Sequence, residues 1–152
     1  MMDFVLLWLL QDLLTVFFGG TMQVPEFFLL GVVFRLLTDE GEDCLWAIWT
    51  AFGGGLLWDL RWVGIPGFFT LGYVVVILLV LWLWSAIPAS GRTMPVVFIL
   101  LEASQMIPTL LPVLILGGDM GGVFFLMQQL CALPALSLCL YLYSRRPKDP
   151  HA

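Results

Sequence analysis

The sequence predicts an all-α integral membrane protein of about six transmembrane helices. Charged residues make up only 11% of its 152 residues, against 61% hydrophobic, where a soluble domain carries roughly 25% charged residues. Mean hydropathy is +1.02. Two runs, Trp62 to Gly91 and Met120 to Ser144, contain no charged residue, and each exceeds the about 20 apolar residues needed to cross a hydrocarbon core. Only short hydrophilic stretches separate the apolar segments, so a single membrane domain is expected over residues 1–152.

Taken in order, the first segment covers residues 3–18, apolar except for Gln11 and Asp12, and ends at Gly19-Gly20. A signal peptide is the competing reading. No basic residues precede the run, no Ala-x-Ala-like site follows it, and Asp12 interrupts it, so a retained helix is expected. Residues 24–37 form the second segment, opened by Pro25, a residue suited to a helix start. It spans roughly 20 Å at 1.5 Å per residue, short of a roughly 30 Å core, so extension by its flanks, local thinning and re-entry are all open.

An acidic loop from Thr38 to Asp43 leads into residues 44–60, where Trp46, Trp49 and Trp58 are available for interfacial anchoring. After a turn from Arg61 to Pro66, the fourth segment covers residues 67–87 and stops at Pro88, Ser90 and Gly91. Residues 94–116 are entered at Pro95 and carry Glu102, Ser104 and Gln105 near their middle. A glycine-rich turn joins them to residues 123–143, and residues 144–152 form a polar tail.

Orientation follows from the basic residues, which are retained on the cytoplasmic side in short loops. With six crossings and both termini inside, Arg35, Arg92, Arg145, Arg146 and Lys148 lie inside and only Arg61 outside, out of six Lys and Arg in total. The net charge of −5 says little about partners, since Asp39, Glu40, Glu42 and Asp43 share one loop. No feature points to nucleic acid. Cys44, Cys131 and Cys139 have no metal-like spacing and read as small packing residues.

Polar residues within the apolar segments are few, and each has a structural and a functional reading. Asp59 follows the triplet Gly53-Gly54-Gly55 and precedes Arg61 by two residues. An isolated carboxylate in hydrocarbon costs several kcal/mol, so Asp59 is expected to pair with Arg61 at a helix end, with a binding role as the alternative. The three glycines allow close approach of another helix; a substrate passage is the rarer reading. Glu102 and Gln105 are three apart and share a helix face that either contacts a partner helix or lines a cavity. Glu26 reads as a first-turn carboxylate favoured by the helix dipole. No paired-carboxylate, Ser/His, Cys/His or phosphate-loop pattern links Asp12, Glu26, Asp59, Glu102, Gln105 and His151, so no catalysis, metal or cofactor is implied.

The stretch AFGGGLLWDLRWVGIPGFFTLGY, Ala51 to Tyr73, resembles the most recognisable segment of the rod shape-determining protein MreD family. That family's pattern is an apolar helix ending Gly-Phe-x-x-Gly-Leu-x-x-Asp, a short turn, and a Gly-led next helix. Phe52, Gly55, Leu56 and Asp59 fall on its Phe, second Gly, Leu and Asp, and Gly67 on the Gly that opens the following helix. Pro25-Glu26 looks like the Pro-acid pair opening the family's second helix, and Pro134 in the last segment also suits it. Ala51 replaces the family's first Gly, and Arg61 with Trp62 makes the turn bulkier.

The resemblance implies a multi-pass bacterial inner-membrane scaffold, not an enzyme, within the elongation machinery (elongasome) that governs cell shape and peptidoglycan synthesis. Its implied partners are MreC, MreB filaments, and RodA with its penicillin-binding transpeptidase; a homo-oligomer is left open. The family is also similar in fold to the substrate-binding subunits of energy-coupling-factor (ECF) vitamin transporters. That similarity supplies the alternative function, with Glu102, Gln105 and Asp59 as pocket residues.

Overall fold

A computed structural model describes residues 2–18, 24–39, 44–116 and 122–146. Six α-helices account for most of them: α1 (Met2–Phe18), α2 (Phe27–Thr38), α3 (Leu45–Trp58), α4 (Phe68–Ala86), α5 (Met94–Leu116) and α6 (Gly122–Ser144). A π-helical turn, Asp59–Val63, extends α3, and a 3-10 turn, Ala89–Gly91, precedes α5. There is no strand among the described residues. Three stretches, Phe68–Ala86, Met94–Leu111 and Phe125–Ser144, are long and apolar enough to cross a membrane. The fold is therefore compatible with a membrane protein. Its surface agrees: Leu114, Phe17 and Trp49 are exposed by 78%, 74% and 69%, and an apolar exterior of this kind needs lipid or a partner rather than water.

The short second segment is the hub of the bundle. Helix α2 packs against α1, α3, α4, α5 and α6, and Leu29, Val32 and Val33 on it are fully buried. A helix this apolar over its first eight residues belongs largely in an interior. Its twelve residues reach about 18 Å, and neighbouring helices cover most of its surface.

Successive helices run in opposite directions, so side chains meet at two ends. At one end Arg146 approaches Asp39, Arg35 lies over Phe4 and Trp46, and the Tyr143 hydroxyl donates to the Arg92 carbonyl. This end carries Arg35, Arg92, Arg145 and Arg146. At the other end Asp12 meets Arg61 and Gln11 meets Glu26.

Helices α3 and α4 form the tightest pair. A Cβ on Gly55 would lie 2.6 Å from the Thr70 Cα and 2.9 Å from its backbone nitrogen, so only a glycine lets the two backbones approach this closely. The turn expected from Arg61 to Pro66 is shorter in the structure. Helical structure continues to Val63, and the chain reverses at Gly64, whose φ of 71° is left-handed and whose N–H bonds the Asp59 carbonyl at 2.8 Å.

Candidate functional site

Asp59 is wholly buried and is a cap, not one half of an ion pair. Helix α4 begins after Gly67, which has φ 101° and no side chain with which to satisfy the first orphan N–H groups. Asp59 does so from eight residues upstream. Its carboxylate accepts from the N–H of Gly67 (3.0 Å), Phe69 (2.7 Å) and Thr70 (3.0 Å) and from the Thr70 hydroxyl (2.7 Å). A negative charge at this helix end is also favoured by the dipole.

The expected pairing of Asp59 with Arg61 is thus corrected. Because the helix continues past Trp58, residues two apart face different directions. Arg61 turns to α1, where its Nε donates to Asp12 Oδ1 at 2.5 Å, and the Trp62 indole donates to the same oxygen at 2.9 Å. Asp59 therefore ties α3 to α4, and Arg61 ties the same turn to α1.

Glu26 is likewise not a simple first-turn carboxylate. It occupies the N-cap position of α2 without a side-chain capping bond. Its carboxylate is buried and accepts from Gln11 Nε2 at 2.6 Å and from the Tyr73 hydroxyl, while Gln11 Oε1 takes the Phe28 N–H at 2.9 Å. This three-helix network joins α1, α2 and α4. On the α5 side, Gln128 Nε2 donates to Thr109 Oγ1 at 2.9 Å and to the Val24 carbonyl at 3.4 Å.

The glycine triplet divides its work by helix rotation. Gly55 faces α4. Gly54 faces α2, where a Cβ would come within 2.2 Å of the Phe28 ring, and its carbonyl takes the Trp8 indole N–H at 3.2 Å. Gly53 has nothing within 4 Å of the position a Cβ would take. It opens onto a groove of about 570 Å³ between α1 and α3, walled by Val5, Trp8, Trp49 and Leu57 and floored by Phe28. Phe4 and Trp46, stacked at 5.5 Å under the Arg35 guanidinium, close it at the arginine-rich end. The Asp12 cluster ties α1 to the other end of α3, and the Trp8 indole on the Gly54 carbonyl bridges the two helices between.

Of the other residues singled out by sequence, Phe52 projects outward on α3, exposed and edge-on to Trp49 at 6.0 Å. Gly67 is the N-cap just described. Glu102 and Gln105 lie on α5, which packs on α2, α4 and α6, and neither lines the groove. Gln105 is fully buried with neither amide atom hydrogen-bonded, and Glu102 has one carboxylate oxygen in the same state.

The residues that sequence reasoning passed over are Trp8, Thr70, Tyr73, Thr109 and Gln128. Each is a hydrogen-bonding group in an apolar run, which is the signal that could have marked them. The acidic residues 40–43, the glycine-rich turn 117–121 and the end of the tail, 147–152, lie outside the described residues. No protein family, curated protein or solved structure matches this chain.

Proposed function

We propose that this chain is a non-enzymatic scaffold of the bacterial cell-elongation machinery, of the MreD type, and that its α1–α3 groove receives the membrane helix of MreC. The observation that carries this reading is the groove at Gly53 between α1 and α3, lined by aromatic and aliphatic side chains. An apolar groove beside a small residue suits the ridge of another helix, since close backbone approach is what small residues contribute to helix packing in lipid. The polar groups near it are occupied with one another. Asp59, Asp12 and Glu26 each accept hydrogen bonds from neighbouring helices, which leaves no reactive pair among the described residues.

In this reading all six helices cross the inner membrane with both termini in the cytoplasm. Arg35, Arg92, Arg145 and Arg146 then lie on the inner side and Arg61 on the outer. MreB, RodA and its transpeptidase are reached through the same assembly. Affinity purification of the tagged chain from its native membrane tests it: MreC is expected in the eluate, and its absence contradicts the reading.

One observation favours a second reading, a vitamin-binding subunit of an energy-coupling-factor transporter. Gln105 is fully buried with both amide atoms unpaired, and such atoms are rare unless something else binds them. Under that reading a vitamin and ATPase subunits accompany the purified chain instead of MreC.

A further inference from the structure

A second crevice, of about 470 Å³, lies on the opposite side of α1. Its floor is the side of α2 that faces between α1 and α6, with Leu30, Gly31 and Phe34, and its walls are Leu7 of α1 and Leu138 of α6. It runs from Phe27 to Thr38, so it is about 16 Å long. One end is apolar. The other carries Asp3, Arg35 and Asp39, with Arg35 Nε 2.8 Å from Asp39 and the Arg146 guanidinium 3.6 Å from the same carboxylate.

We propose that this crevice binds a single acyl chain of a zwitterionic aminophospholipid, phosphatidylethanolamine, with its headgroup in the mouth formed by Asp3, Arg35, Asp39 and Arg146. Length favours a lipid chain, because half of a roughly 30 Å hydrocarbon core is about 15 Å. Charge selects the headgroup. Two guanidiniums and two carboxylates share the mouth, so a phosphate can face Arg35 and Arg146 while an ammonium faces Asp3 and Asp39. A purely anionic headgroup would set its phosphate against those carboxylates with no ammonium to offset them.

This inference rests on the membrane reading but not on the scaffold role. Purified chain, stripped of co-purified lipid, is titrated with phosphatidylethanolamine or phosphatidylglycerol, and bound lipid is read by native mass spectrometry. Phosphatidylethanolamine is expected to bind about tenfold more tightly than phosphatidylglycerol, a difference of the size one charge-assisted contact gives. Ala135→Trp fills the crevice and Asp39→Asn removes an ammonium partner; each is expected to weaken phosphatidylethanolamine about tenfold, with Asp39→Glu restoring it. Equal binding of the two lipids, or unchanged binding in Asp39→Asn, overturns the proposal. If Ala135→Trp does not fold, the partly exposed Asp39 pair decides alone. A photoreactive residue at Leu138, activated in native membranes, is expected to capture phospholipid; capture of a protein segment makes this a helix-docking site and also overturns it. Recovery of the chain from cells without detergent would instead defeat the membrane reading itself.

Discussion

Asp59 holds a position that only an acceptor with several lone pairs can fill. Its four hydrogen bonds replace the caps that Gly67 lacks, and removing a buried acceptor leaves those donors unsatisfied at about 1–3 kcal/mol. Asp59→Ala is expected to lower the unfolding free energy in detergent by that amount. Arg61→Gln on top of it should add rather than rescue, because Arg61 serves Asp12 and the two sites share no partner. Partial rescue by Arg61→Gln would mean that Asp59 and Arg61 are a pair after all. Asp12 and Arg61, partly exposed, should couple by no more than about 1 kcal/mol. The sequence made Asp59 conspicuous as a carboxylate in an apolar run, but not its partner, which depends on whether helix continues past Trp58. Reading a break at Arg61 made the nearest opposite charge look like the answer.

The helices were largely legible as apolar segments; what each face does was not. Gly53, Gly54 and Gly55 are identical in sequence, yet rotation of about 100° per residue turns them to a groove, to α2 and to α4. Their substitutions should therefore differ. Gly55→Ala drives a Cβ into the Thr70 backbone, and overpacking of this kind costs about 1–3 kcal/mol. Gly53→Ala meets open space and should stay within about 0.5 kcal/mol of the parent. Thermal unfolding of the two variants side by side checks this; equal losses would contradict the packing of α3 between its neighbours. Helix α2 illustrates the same limit. Its length alone leaves crossing, thinning and re-entry open, and its central place emerges only from its packing against all five other helices. The Gln11–Glu26–Tyr73 network was hidden for a related reason, since its members come from three segments that composition cannot bring together.

Over the whole molecule the arginines gather at one end of the bundle, where Arg35 lies over Phe4 of α1 and Trp46 of α3, Arg92 precedes α5, and Arg145 and Arg146 follow α6. Cys44, just before α3, is exposed at this end. In the proposed orientation it faces the cytoplasm, so a membrane-impermeant maleimide should label it only after cells are permeabilised. Labelling in intact cells would invert the orientation. Cys131 and Cys139 are partly buried within α6 and should react more slowly in either case. The groove itself was not legible from sequence: its walls come from α1 and α3, and the hydrogen bonds that join these helices and the turn after α3, Trp8 with Gly54 and Asp12 with Arg61 and Trp62, span 46 to 50 residues. The measurement that bears most directly on the scaffold reading is capture of MreC by tagged chain from native membranes, compared between the parent and Gly53→Leu. A leucine at Gly53 projects into the groove from a position where a Cβ meets nothing within 4 Å. MreC is expected with the parent and lost with Gly53→Leu, while the two unfold at the same temperature. MreC recovered equally with both, or with neither, would contradict the scaffold reading.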